Sequence, residues 1–376
     1  MLTKQPLLLS AIVLLISITQ QVNAKIWRVN NKSNYNGSTL WGDNFGGTAA
    51  YPVFTQVNQA VAFGIVNNND TIHIEGSTQV YDLAIITKKL ILIGTGFFLT
   101  DNPKTSINTL ESKIARIALN AGSEGSQVIG LNIVNSGNVA DGYIYVSVNN
   151  VTVKRCRIEN GVGFGTQLSD VTIVQNFFPG VTNTNCLATN GNVFFIPPTD
   201  IIFNNNICQK TLRWGTPLTN PTTAWPILQC KNNVFDGPDN LATPNLAFST
   251  SEFSNNILMS TNAVTNIVAS AGVVKNNIGT LSTQFGIADN NLVVPAITTL
   301  FITSTSTDGA YQIADGTVAD NSGTDGTDRG AYGGASVINR YTLSGLAPVP
   351  VIYEITTSGV ADATGLPVTI KARIIK

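Results

Sequence analysis

Lys231, Glu252 and Lys275 are the side chains whose types and spacing first suggest chemistry, because cation, carboxylate and cation recur about once per repeat. Lys154 falls in the same series further upstream. If one surface presents all four, they form a line able to hold an extended acidic or hydroxylated ligand. The same charges would also serve simply to keep a strand face wet. Trp214 and Trp225 lie among Pro217, Pro221 and Pro226. Their rings could overhang that line as stacking platforms, or fold inward as the small core of a self-packed flap. Asp320, Asp325 and Asp328 occupy a Gly-rich stretch and offer oxygen ligands to calcium. They lack the alternating acids of a D-x-D-x-D-G loop, and an exposed turn is the simpler account.

What would position these residues is a repeat. Asn132, Asn176, Asn206, Asn233, Asn256, Asn277 and Asn291 each precede a pair of apolar residues, and Cys156 fills the vacant mark in the long gap after Asn132. The column three residues before each mark (Ile129, Val153, Ile173, Phe203, Cys230, Phe253, Val274, Ala288) is apolar throughout. The column one residue after it (Ile133, Arg157, Phe177, Ile207, Val234, Ile257, Ile278, Leu292) is apolar except at Arg157. Columns that stay apolar while the intervening loops vary in length predict strands stacked in register around a shared core, in eight turns. At the mark the chain must bend, and Asn tolerates the left-handed conformation of such a bend. Identical amides stacked at the strand spacing of ~4.8 Å can hydrogen-bond from turn to turn. Two residues before the marks, the outward column reads Gly130, Lys154, Val174, Asn204, Lys231, Ser254, Lys275, Asp289, with Gln229 and Glu252 in the next outward column.

This Asn ladder resembles that of the right-handed parallel β-helices of the pectate-lyase-like superfamily. The N-terminal order is similar to the capping end of many bacterial β-helix proteins. It runs from a strand at Ile26 to Val29, through a loop bearing Trp41-Gly42-Asp43, to a helix with Val57, Ala60, Val61, Gly64 and Ile65 on one face, then to Thr71 to Glu75 and Lys88 to Ile93. The string Asp328-Arg329-Gly330-Ala331-Tyr332-Gly333-Gly334 is similar to strings that close the last turn of such proteins. The resemblance implies an all-β fold: a single-stranded right-handed parallel β-helix solenoid with a short N-terminal capping helix and a C-terminal β tail. Residues 1–24 are expected to form a signal peptide, 25–96 the N-terminal strand, loop and cap, 97–340 the parallel β-helix, and 341–376 the tail.

Lys4, the apolar run Leu7 to Ile18 and the small-residue site Val22-Asn23-Ala24 have the layout of an export signal, so a secreted or cell-surface location is expected. No later segment has the length and hydropathy of a membrane span. Basic and acidic residues nearly balance, 21 against 22, without the basic stripe of a nucleic-acid binder. Four cysteines in an exported chain raise the question of disulfides. Cys156 stands two turns below Cys208 and Cys230 lies in an inward column, so only Cys186 could reach Cys208 or Cys230.

The superfamily's enzymes include lyases and hydrolases of polysaccharides, but their motifs are missing. Arg213 precedes Pro217 with no second Arg following, the G-H-G and R-I-K strings are absent, and the single His73 lies between Ile72 and Ile74 in the capping strand. No catalytic residue is assignable and no cofactor is called for, with calcium the one candidate ion. The expected function is non-catalytic binding of glycan or another surface component by a monomer, along Lys154, Lys231, Glu252, Lys275, Trp214 and Trp225. The alternative is a polysaccharide lyase or related enzyme acting on an acidic polysaccharide, using Lys231 or Lys275 with Arg155 or Arg157.

Overall fold

The structure, a computed structural model, describes residues 24–32, 47–48, 50–102, 104–180, 185–189, 195–239, 243–262, 265–302, 307–357, 359 and 365–375. The N-terminal apolar run and the Trp41-Gly42-Asp43 loop lie outside these residues. Three sheets, of 13, nine and five strands, are built from parallel pairs. One turn shows the path. Val151–Lys154 lies in the first sheet, Arg157–Ile158 in the second and Gly161–Phe164 in the third, and the chain re-enters the first sheet at Val171–Val174. Parallel neighbours joined through two other sheets make a parallel β-solenoid.

Alternation along each strand sends every second side chain inward. In the first sheet the inward line is Val128, Val153, Ile173, Phe203, Cys230 and Phe253, paired rung to rung. All of these belong to one continuous core. The helix Val57–Ala62 adds Val57, Ala60 and Val61 to that core beside the edge strand Val53–Phe54. It stops short of Ile65, which is exposed.

The ladder is present from Asn176 to Asn291, and its bonding is regular. Asn176 Oδ1 accepts from Cys156 N, and from Asn206 onward the Oδ1 accepts from both the backbone N–H and the Nδ2 of the preceding ladder Asn. For Asn233 these distances are 2.9 Å from Asn206 N and 3.2 Å from Asn206 Nδ2. The Asn233 Nδ2 in turn donates to Asn256 Oδ1 at 2.9 Å and to the Phe203 carbonyl at 2.9 Å. The same pattern repeats at Asn206, Asn256 and Asn277.

Three features depart from the sequence expectation. First, Asn132 is not a ladder residue. Arg157 pairs with Asn132 and Lys154 with Ile129, so Leu131 stands level with Cys156, and Val128 replaces Ile129 in the inward line. One residue of slip exchanges the two faces, and the fully buried Leu131 takes the interior place. Asn132 instead donates to Glu111 at 2.6 Å and accepts from Arg157 at 3.1 Å. Second, the left-handed residue is the one before the ladder position: Arg155, Gln175, Asn205, Asn232, Asn255, Asn276 and Asn290 have φ between 54° and 59°. The ladder Asn serves hydrogen bonding, and its predecessor makes the bend.

Third, the column after the ladder faces out. A strand of two apolar residues presents one to each side of its sheet. Phe178, Cys208, Phe235 and Leu258 point into the solenoid, whereas Phe177, Ile207, Val234, Ile257 and Ile278 form a second, external core with Phe97, Ile297, Leu300, Tyr311, Ala319, Ala331 and Tyr341. The cover is a strap, residues 307–347, that returns along the bend. Arg329 donates to the Asn290 carbonyl at 3.0 Å, and Asn255 bonds Thr324 at 2.9 Å. Asn205 Nδ2 donates to the Ala331 and Gly333 carbonyls at 2.8 and 2.7 Å, Gln175 Nε2 to those of Ile338, at 2.9 Å, and Arg340. Arg155 Nη1 reaches the Leu346 carbonyl at 3.0 Å. The Asp328-to-Gly334 string therefore lies along the side of the solenoid, against turns marked by Asn205 and Asn255, rather than closing its last turn.

The tail is an antiparallel hairpin, Pro350–Thr357 with Val368–Ile374, docked on the 104–107 loop through Ile107 N to the Ile352 carbonyl, 2.9 Å, and Arg373 to the Lys104 carbonyl, 2.7 Å. Among the described residues no helix is long and apolar enough to cross a membrane.

Candidate functional site

The outer face of the first sheet carries two polar columns whose register is unbroken. One reads Lys154, Val174, Asn204, Lys231, Ser254, Lys275, and the other reads Gln127, Thr152, Thr172, Ile202, Gln229, Glu252. The strap rises beside them and makes a groove of ≈ 580 Å³, with Thr324, Asp325, Ser336 and Asn339 on the strap wall. Its floor holds Gln127, Thr152, Lys154, Thr172, Val174, Ile202, Asn204, Gln229 and Lys231.

The structure unites some of the sequence candidates and separates others. Lys154 and Lys231 line the groove, and Lys231 Nζ meets Glu252 Oε1 at 3.2 Å. Lys154 Nζ donates to the Ile338 carbonyl on the strap at 3.2 Å. Burial, with the Arg155 cation beside it, pushes the Lys154 ammonium down to about 8. Lys275 continues the same register line but stands beyond the groove, which ends under Thr324 and Asp325.

Trp214 does not overhang this face. It is fully buried, 5.2 Å from the Phe164 ring, with the half-buried Trp225 edge-on at 4.9 Å and Phe195 bridging the two. The indoles pack on the main core because the strand Leu212–Arg213, which leads into Trp214, is a wall strand paired with Leu246–Ala247, and it turns Leu212 and Trp214 inward. Arg155 is buried and held by Gln175 Oε1 at 2.8 Å, and burial lowers its pKa to about 10. Arg157 lies on the second sheet, paired with Glu159 at 2.7 Å and over the Phe98 ring. Neither arginine lines the groove with Lys231.

Asp320 and Asp328 meet side chain to side chain, but Asp325 does not join them. Burial raises the Asp325 carboxyl, but hydrogen bonds from the Thr327 hydroxyl and N–H outweigh it and hold the group below its usual range. Asp328 accepts from Asn321 N at 3.0 Å, and burial leaves it raised. No cluster of three metal-ligating His, Cys, Asp or Glu occurs among the described residues. All four cysteines are buried as free thiols, with Cys186 hydrogen-bonded to Cys208. His73 sits on the outer face of the first sheet level with Arg28, and burial lowers its pKa.

A second hollow, of about 240 Å³, escaped sequence reading. It opens on the outer face of the third sheet between Leu83, Ile85, Arg116, Ala118, Asn120, Tyr145 and Ser147. The Tyr145 ring crowds Gly163 with one edge, where a Cβ would come within 2.5 Å of it. The Arg116 Nε is buried without a hydrogen-bond partner. The outward places of the third sheet carry no Asn mark, so the only signal available was the alternation Tyr143, Ile144, Tyr145, Val146.

Comparison of the chain with protein-family models, with curated proteins and with solved structures finds no match in any of the three.

Proposed function

We propose that this chain is a secreted or cell-surface protein with a right-handed parallel β-helix, and that it binds polysaccharide lengthwise between the outer face of the first sheet and the strap, without catalysing a reaction. The right hand follows from the strong preference of parallel crossovers for that sense. The observation that carries the binding reading is the groove floor, where amides and hydroxyls repeat at the ~4.8 Å rung spacing and so meet successive units of an extended polymer. The Thr152 and Thr172 hydroxyls and the Gln229 Nε2 make no side-chain hydrogen bond among the described residues and face the groove.

Affinity electrophoresis of the purified protein against a polysaccharide panel tests this, with Thr172→Trp as the groove-filling variant. The reading requires retardation by at least one polysaccharide and its loss in the variant. Retardation that survives Thr172→Trp removes this face as the site.

One observation favours the enzymatic alternative: Arg116 presents a guanidinium whose buried Nε has no hydrogen-bond partner, beside the Tyr145 ring, and such a group suits carboxylate recognition in an acidic polysaccharide. A lyase would produce unsaturated uronate absorbance on such substrates, and Arg116→Ala would abolish it. No absorbance on any acidic polysaccharide leaves the binding reading alone.

A further inference from the structure

We infer that the groove selects an uncharged, hydroxyl-rich polysaccharide over an acidic one, an inference that rests on the glycan-binding reading above. The charges around the groove cancel. Lys154 and Lys231 are its cations, and the carboxylates of Glu252 and Asp325 stand against them. Lys231 is already engaged, its Nζ 3.2 Å from Glu252, and Lys154 already donates to the Ile338 carbonyl. An acidic chain would bring one charge per sugar to a site with no net field, and would also pass the Asp325 carboxylate on the strap wall. Lys275, which would tip the balance, lies outside the groove.

The floor suits a neutral pyranose. Val174 and Ile202 are neighbouring, half-buried apolar residues at its centre, and Thr152, Thr172, Asn204 and Gln229 surround them. An uncharged sugar has the matching distribution, with C–H groups on its ring faces and hydroxyls at its edge. Asn204 is fixed by its own bonds, its Nδ2 donating to Gln229 Oε1 at 3.2 Å and its Oδ1 accepting from Lys231 N at 3.0 Å. That leaves the Gln229 amide N–H groups and two threonine hydroxyls, which are neutral donors and acceptors, to meet sugar hydroxyls.

The experiment is affinity electrophoresis of the full chain and of Glu252→Gln in gels containing a soluble neutral β-glucan, a galactomannan, polygalacturonate or alginate, at low and high salt. For the native protein, retardation by a neutral polysaccharide is expected to be independent of salt and at least several-fold stronger than that by either acidic one. Glu252→Gln frees Lys231, so retardation by the acidic polymers should rise at low salt and vanish at high salt. Stronger, salt-sensitive retardation of the native protein by an acidic polymer overturns this inference and leaves the glycan-binding reading standing. No retardation by any of the four overturns the glycan-binding reading itself.

Discussion

Replacing Asn233 by Ala tests the ladder where it is most regular. The change removes an Oδ1 that accepts from Asn206 N and Nδ2, and an Nδ2 that donates to Asn256 Oδ1 and the Phe203 carbonyl. Two of the partners keep a bond. Asn206 Nδ2 retains the Ile173 carbonyl at 3.0 Å, and Asn256 Oδ1 retains the Asn233 N–H at 2.9 Å. The Asn206 backbone N–H has no second acceptor and becomes an unpartnered buried donor, at a cost of about 1–3 kcal/mol. With the lost net bonds included, the destabilisation should be about 2–4 kcal/mol. Chemical denaturation measures the total, and hydrogen exchange locates it: the Asn206 amide should exchange much faster, with the Cys156 amide two rungs away little changed. Asn233→Asp sharpens the test. It keeps the acceptor towards Asn206 but sets a carboxylate oxygen against Asn256 Oδ1, so its pKa in the folded state must rise. A raised pKa means that the folded state holds the proton more tightly. The variant should therefore be most stable below about pH 4 and lose stability as pH rises through its folded pKa. A loss below about 0.5 kcal/mol for Asn233→Ala, the size of an ordinary surface substitution, would refute the assignment of these bonds to the fold's stability.

Ile257→Ala, on the outer side of the second sheet, should cost about 2–5 kcal/mol in denaturation because the strap makes that side an interior; a near-neutral result would mean that the strap does not pack there. Trp214→Ala should destabilise by about 3–5 kcal/mol while folded protein retains its glycan retardation, and a selective loss of retardation without a lower melting point would return the indole to the binding face. Lys154, held down to about 8, binds fewer protons when folded than unfolded between that value and the ordinary lysine range. Stability should therefore gain a contribution as pH rises through this window, and Lys154→Met should lack that gain when melting is followed against pH.

Much of the architecture was legible because interior lines are written in residue type. Val153, Ile173, Phe203 and Phe253 recur at a fixed offset from the ladder, where the Asn amide both donates and accepts along the stack. The double asparagines at 205–206, 232–233, 255–256, 276–277 and 290–291 also held the distinction between bend and ladder, although a single Asn can serve either role. The slip at Asn132 was hidden because Ile129 and Val128 are both apolar, so either register satisfied the hydrophobic pattern. The outer core was hidden for a related reason. Apolar residues at neighbouring places in a short strand must face opposite ways, but sequence does not say which distant segment covers the outward one. The groove was half legible: its floor follows from register, whereas its second wall comes from residues about a hundred positions downstream. Trp214 was misplaced because the surrounding prolines signal a loop and give no direction for the ring.

The strap also acts as a ruler. Solenoids commonly change length by gaining or losing whole repeats, since each repeat contacts only its neighbours. Here the bends at Asn276, Asn255, Asn205, Gln175 and Arg155 are each tied to a successive part of one returning segment, at Ser322, Thr324, Ala331, Ile338 and Leu346. A duplicated turn between Asn206 and Asn233 would move those anchors apart by about 4.8 Å. The strap between Thr324 and Ala331 would then need one or two more extended residues, at about 3.3 Å each, or lose its contacts on one side of the insertion. Repeat number in this chain can therefore change only together with a matching insertion or deletion far away in the gene, so its descendants should vary in loop length much more readily than in number of turns.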